Sequence, residues 1–140
     1  MNPFSFGTDP EFLIMDDEYN CVSAIDVLGE GRDKFNPVKV DGNEYFYDNV
    51  LIECTVSPAK TKEEALENIK KAITTLHDLV KPYHLVIQAS AEFPNEKLEH
   101  QKKRKVGCSP DTCAYSLEEI RPPFEEIEKN SLRSCGGHIH

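Results

Sequence analysis

The segment from Thr61 to Val80 constrains the fold of this chain most, because its pattern predicts one long amphipathic helix. Thr61 and Glu64 form a capping-box pair at its start, and Pro82 lies just beyond its end. Apolar residues recur between them at helical spacing, namely Ala65, Leu66, Ile69, Ala72, Ile73, Leu76, Leu79 and Val80. A helix with one apolar face has to pack against another element. The chain therefore needs a sheet that can receive this helix.

Several segments have the composition and alternation of β-strands. They are a first strand ending at Met15, a hairpin of residues 38–40 and 44–47 around Asp41-Gly42-Asn43, an apolar strand Val50–Val56, a strand Leu85–Ala91, and a last strand Ser131–His140. Several strands and one long helix predict an α+β domain on an antiparallel or mixed sheet. The length of 140 residues suits a single domain, residues 1–140.

Acidic and imidazole side chains recur at positions where strand alternation places them on one face. Asp9 and Glu11 point to the same side of the first strand, whereas Phe12 points to the other side. Glu53 is an acid in the middle of the apolar strand, and His138 and His140 repeat the two-residue spacing near the last residue. If these faces converge, their oxygen and nitrogen ligands suit Mg²⁺ or Mn²⁺.

Two glycines precede the histidines. Gly136 and Gly137 carry no side chain, so a phosphate or another backbone can approach closely at these positions.

Charge and hydropathy exclude two classes of partner. The formal net charge of −9 argues against nucleic acid as a partner, because a nucleic-acid binder needs a positive field along its surface. No apolar run approaches the roughly 18 residues that span a bilayer, so we expect no membrane contact. The first residues lack the basic start and apolar core of a secretory signal. These features predict a cytoplasmic protein.

The five cysteines are odd in number and scattered, which predicts reduced thiols rather than a disulfide framework. They also leave one alternative open. Cys108, Cys113, Cys135 and His138 could be the four ligands of a structural zinc. That interpretation leaves the acids and glycines unexplained.

Four motifs, taken in order, resemble those of the phage and bacterial amidoligases. These motifs are Gly7-Thr8-Asp9-Pro10-Glu11-Phe12, Ile52-Glu53 followed by Pro58, Gly107-Cys108-Ser109-Pro110-Asp111, and residues 133–140 with the sequence Arg-Ser-Cys-Gly-Gly-His-Ile-His. The amidoligases are carboxylate–amine ligases of the glutamine synthetase and glutamate–cysteine ligase superfamily. The resemblance spans nearly the whole chain.

This resemblance implies a fold, a reaction and a set of site residues. The fold would be a curved, mainly antiparallel sheet with helices on its convex face. The reaction would join a small-molecule or peptide carboxylate to an amine at the expense of ATP. Asp9, Glu11, Glu53 and His138 would hold Mg²⁺ or Mn²⁺. His140, Gly136 and Gly137 would lie near the nucleotide, and Arg133 and Asp111 would contact substrate or phosphate.

The resemblance also implies that the catalytic domain of such a ligase continues past the histidine motif. We therefore expect the chain to be the N-terminal part of a longer amidoligase domain, in the host cytoplasm if it is encoded by a phage. A third interpretation is a catalytically inactive relative that binds a ligand or partner in the former cleft. The substrates and the oligomeric state are not specified by these motifs.

Overall fold

The structure is a computed structural model that describes residues 4–99, 111–120 and 124–140. The larger strands are β1 (Phe6–Met15), β4 (Asn43–Asp48) and β5 (Leu51–Ala59). The short strands are β2 (Cys21–Val22), β3 (Val38–Val40), β6 (His84–Val86), β7 (Ser90–Glu92), β8 (Asp111–Thr112), β9 (Glu119–Ile120), β10 (Leu132–Ser134) and β11 (Gly137–Ile139). The α-helices are α1 (Ala24–Leu28), α2 (Lys62–Leu79) and α3 (Phe124–Lys129), and a 3-10 helix spans Asn95–Leu98.

Seven strands form one curled antiparallel sheet in which β1 is the shared element. The order of the main path is β11-β1-β5-β4-β3, and β2 and β6 also pair with β1. The pairs β10–β7 and β8–β9 form two separate small sheets. The predicted α+β class with an antiparallel sheet is therefore confirmed.

Helix α2 covers one face of the sheet and builds the main hydrophobic core there. The even-numbered side chains of β1 and β5, such as Phe12 and Ile52, pack with Leu76 and Val80 from the helical segment. Ile52 and Leu76 are fully buried. The strand alternation predicted for Phe12 against Asp9 and Glu11 is thus the alternation that the sheet uses.

The opposite face of the sheet is covered at one end and acidic at the other. Leu13, Met15 and Leu51 point to this face and pack with Phe93 and Leu98 in a second, smaller core. The next residues on the same strands and the same face are Glu11 and Glu53. This second core therefore ends where the acidic side chains begin.

Helix α2 begins as the sequence predicts. The hydroxyl of Thr61 accepts a hydrogen bond from the backbone N–H of Glu64 at 3.1 Å, and the carboxylate of Glu64 accepts from the N–H of Lys60 at 2.7 Å. These reciprocal bonds form a capping box, since they satisfy N–H groups that have no partner within the helix.

We expect Thr61→Ala to lower the free energy of unfolding by about 1 kcal/mol, because it removes the N-cap acceptor. Urea denaturation measures this loss. Thr74→Ala is the matched control, since Thr74 lies in the same helix and its exposed hydroxyl donates to the carbonyl of Lys70 and caps no helix end. Equal effects of the two substitutions would contradict a capping role for Thr61.

The structure differs from the predicted elements at three places. Residues 24–28 form the short helix α1, which the sequence pattern does not predict. The strand expected within 85–91 is two strands, β6 and β7, which belong to different sheets. The last segment is also divided, because β10 pairs with β7 and β11 pairs with β1. In the described part of the chain, no helix is long and apolar enough to cross a membrane.

Candidate functional site

The antiparallel register of β1 and β5 places two glutamates directly opposite each other. Glu11 is the partner of Glu53, and Glu53 is in turn the partner of Phe46 on β4. Directly opposed side chains lie on the same face of a sheet at close range. The sequence predicted that both acids belong to one site, and the sheet brings them together.

A third acid, Asp48, completes this group and was missed by the sequence analysis. Glu11, Asp48 and Glu53 each offer a carboxylate oxygen, and these atoms all lie within 4.8 Å of one another. We call these three residues the acidic cluster. Asp48 ends β4 opposite Leu51, so it lies diagonally across from Glu53. Asn49 has a φ of 62° and makes the sharp turn that returns the chain into β5.

The length of the turn between β4 and β5 is the sequence signal that could have identified Asp48. An acid before a turn is usually read as a turn residue, which hides Asp48. A two-residue turn at Asn49 and Val50, however, fixes the pairing of Asp48 with Leu51. That pairing places Asp48 on the face of Glu53.

Electrostatic repulsion and burial act together on Glu53. Burial and, in decreasing order, the negative charges of Glu11, Asp48 and Asp9 together raise its pKa from 4.5 to about 7, while Lys34 opposes them. Burial also raises the pKa of Asp48, again against the influence of Lys34. At neutral pH the acidic cluster therefore carries a charge that its surroundings do not fully compensate.

Asp9 lies beside the acidic cluster on the same face of β1. Its partner across the strand pair is His138 of β11. One of its carboxylate oxygens, Oδ1, is buried and has no hydrogen-bond partner among the described residues. The other oxygen, Oδ2, lies 3.6 Å from Nδ1 of His140. A buried oxygen without a donor is a group that a cation could satisfy.

The two predicted histidines differ in their surroundings. His138 is opposite Asp9 in the register, but its side chain is exposed and outside the acidic cluster. The ring of His140 packs on Gly7, where a Cβ atom would lie 2.9 Å from Nε2. Gly7 is therefore needed for the close approach of His140 to β1.

The predicted glycines pack against β1. The N–H of Gly136 donates to Oε2 of Glu11 at 2.6 Å. A Cβ atom on Gly137 would lie 3.4 Å from the carbonyl oxygen of Asp9. Gly136 thus lies against a carboxylate, and Gly137 lies against the backbone of β1.

The two remaining candidates lie on other small sheets. Arg133 is on β10, its side chain is buried, and its guanidinium donates to the carbonyls of Asn130 at 2.6 Å and Leu132 at 2.8 Å. Asp111 begins β8 and pairs with Ile120, and its side chain is outside the described part of the structure. Neither residue belongs to the acidic cluster. Their contact with substrate or phosphate stays a prediction.

Among the described residues, no cluster of cysteine and histidine side chains supports the alternative of a structural zinc. Cys113 is on the β8–β9 hairpin, where hydrogen bonds from Ser116 and Tyr115 lower its pKa to about 7. Cys135 packs against the second core, and burial raises its pKa to about 11. In the described ranges, the acidic cluster is the single group of three or more potential ligands. Cys108 lies outside these ranges.

The donor set fits a hard divalent cation better than zinc. Glu11, Asp48 and Glu53 offer carboxylate oxygens only, and Asp9 adds a further oxygen nearby. Mg²⁺ and Mn²⁺ prefer such oxygen ligands, whereas structural zinc prefers thiolate and imidazole. The comparisons with known proteins add no assignment, since no family model, curated protein or solved structure matches this chain.

Proposed function

We propose that this chain provides the metal-binding sheet of an ATP-dependent carboxylate–amine ligase with a glutamine synthetase-like fold. The observation that carries the proposal is the register that opposes Glu11 to Glu53 and adds Asp48 to the same face. These acids lie on strands that are distant in sequence. Their convergence is the geometry that the resemblance to amidoligases implies.

The residues have distinct roles in this proposal. Glu11, Glu53 and Asp48 hold Mg²⁺ or Mn²⁺, and Asp9 supplies a further oxygen at the β11 side. His138 and His140 lie on the strand that borders Asp9, where a nucleotide would approach the metal. A cation held by these residues would supply positive charge for the phosphates of ATP.

The reaction has two steps. An oxygen of the substrate carboxylate attacks the γ-phosphorus of ATP, and ADP leaves. The nitrogen of an amine then attacks the acyl carbon of the acyl phosphate, phosphate leaves, and the amine loses a proton. The contribution of the chain is to position the reactants and supply preorganised charge. The residue that accepts the amine proton is not assigned.

A specific observation favours a second candidate, a relative that binds metal and nucleotide without turnover. The guanidinium of Arg133 is buried and bonded to two backbone carbonyls of its own chain. A side chain engaged in this way is poorly placed to contact a transferred phosphoryl group. The second candidate therefore retains the acidic cluster but not the ligase reaction.

Isothermal titration of Mn²⁺ and then ATP tests the proposal. We expect Mn²⁺ to bind the unmodified chain, and Glu11→Gln and Glu53→Gln each to weaken this binding at least about 100-fold, more than typical losses outside the first coordination shell. Glu44→Gln is the matched control. Glu44 lies on β4, and its charge is already paired with Lys39 at 2.6 Å.

Turnover separates the two candidates. Hydroxylamine traps acyl phosphates as hydroxamates, so hydroxamate formation from ATP and a panel of amino acids and dicarboxylates reports the first step. Mn²⁺ and ATP binding with hydroxamate supports the ligase, and binding without hydroxamate supports the inactive relative. Failure of Mn²⁺ to bind the unmodified chain would contradict both.

A further inference from the structure

The backbone amide of Gly136 contacts the carboxylate of Glu11 directly. The distance from its nitrogen to Oε2 is 2.6 Å, which is short for an N–H···O bond, as expected for a charged acceptor. In return, the backbone N–H of Glu11 donates to the carbonyl of Gly136 at 3.2 Å. The two residues are thus joined through both the backbone and the side chain of Glu11.

Position 136 lies close to this carboxylate. A Cβ atom there would lie 3.4 Å from Oε2 of Glu11, in van der Waals contact. The N–H dipole also places partial positive charge beside a carboxylate that faces Glu53. It therefore reduces the repulsion within the acidic cluster.

Resting on the proposed function, we propose that Gly136 is a positioning residue for the metal ligand Glu11. Its N–H fixes the plane of the carboxylate, so that Glu11 faces Asp48 and Glu53 before a cation binds. Donors behind a ligating carboxylate have this effect in metal sites generally. The role differs from the nucleotide contact that the resemblance implies for Gly136.

The contact also couples metal binding to the pairing of β11 with β1. Gly136 immediately precedes β11, and β11 pairs with β1 from Gly137 to Ile139. If pairing raises the affinity of the acidic cluster for a cation, the cation must strengthen the pairing by the same factor. The pairing of β11 with β1, which the structure contains, is then strengthened by a bound cation.

An amide-to-ester replacement tests the role of the single N–H. Cys135 permits ligation of a synthetic peptide of residues 135–140 to residues 1–134, which gives the full chain with an ester oxygen in place of the Gly136 nitrogen. The matched control carries the same replacement at Ile139. In the antiparallel ladder, Gly136 and His140 exchange hydrogen bonds with β1, so the N–H of Ile139 points away from β1.

We expect the Gly136 ester to weaken Mn²⁺ binding roughly 10- to 100-fold and the Ile139 ester to leave it unchanged. We also expect Mg²⁺ to slow hydrogen exchange at the Gly136 amide of the unmodified chain, measured by NMR. The inference would be overturned if the Gly136 ester and the unmodified chain bound Mn²⁺ with equal affinity. It would also be overturned if Mg²⁺ did not change the hydrogen-exchange rate of the Gly136 amide. The proposed function would stand in both cases. Failure of the unmodified chain to bind Mn²⁺ would overturn both.

Discussion

Glu53→Gln is expected to stabilise the metal-free protein by about 2 kcal/mol at pH 8 and to leave its stability at pH 4 nearly unchanged. Glu53 has a pKa of about 7 in the folded chain against 4.5 for an unperturbed glutamate. The folded state therefore binds more protons than the unfolded state between these values. The contribution of Glu53 to wild-type stability is therefore most favourable below about pH 4.5, and it is lost as the pH rises to 7.

The expected gain in the free energy of unfolding follows from the rise in the pKa of Glu53. Each pKa unit corresponds to about 1.4 kcal/mol, and partial exposure of Glu53 reduces the total to about 2 kcal/mol. Glutamine keeps the shape of a protonated glutamate, so it removes the penalty that appears at high pH. Urea denaturation between pH 4 and pH 8 measures the difference.

Glu44→Gln is the control for the pH experiment, because Glu44 is on the same sheet but paired with Lys39. We expect its stability profile to run parallel to that of the wild-type protein. Mg²⁺ should also stabilise wild type at pH 8 and not Glu53→Gln, if the acidic cluster binds the ion. A Glu53→Gln profile that parallels wild type would show that burial and the neighbouring acids do not raise the pKa of Glu53 in the folded chain.

Leu76→Ala is expected to lower the free energy of unfolding by about 3 kcal/mol. Leu76 is fully buried in the core between α2 and the sheet, so truncation removes apolar contacts and leaves a cavity. The matched control is Leu66→Ala in the same helix, where the side chain is 48% exposed. Urea denaturation of both variants at one pH gives the comparison.

The two leucine variants test which face of α2 supports the sheet. We expect Leu66→Ala to cost less than about 1 kcal/mol, since about half of this residue stays in contact with water in the folded chain. If both substitutions lowered the free energy of unfolding by the same amount, the packing of α2 on the sheet through Leu76 would be contradicted. The acidic face would then lack the support on which the proposed site depends.

Sequence rules predicted the features that depend only on neighbouring residues in the chain. Strand alternation separated Asp9 and Glu11 from Phe12, and the Thr61 capping box located the start of α2. The same alternation put Glu53 on the face opposite Ile52. These predictions held because side-chain direction in a strand or helix follows from the backbone repeat alone.

The remaining features depend on register and on contacts between distant segments. Asp48 joins the acidic cluster only through the pairing of β4 with β5. The division of residues 131–140 between two sheets depends on β7, which lies forty residues earlier. Glycine at position 136 predicted a close approach, but the sequence could not identify Glu11 as the group that approaches it. The family assignment remains a prediction, because no family model, curated protein or solved structure matches the chain.

Pro10 lies in the centre of the sheet, between β11 and β5 and between Asp9 and Glu11. Proline has no N–H, so one rung of the β1–β5 ladder cannot form at this point. The paired positions resume at Glu11 on one side and at Thr8 on the other. The β1–β5 ladder thus lacks one hydrogen bond beside its acidic side chains, and we expect backbone amides there to exchange faster than those of the half that ends at Met15.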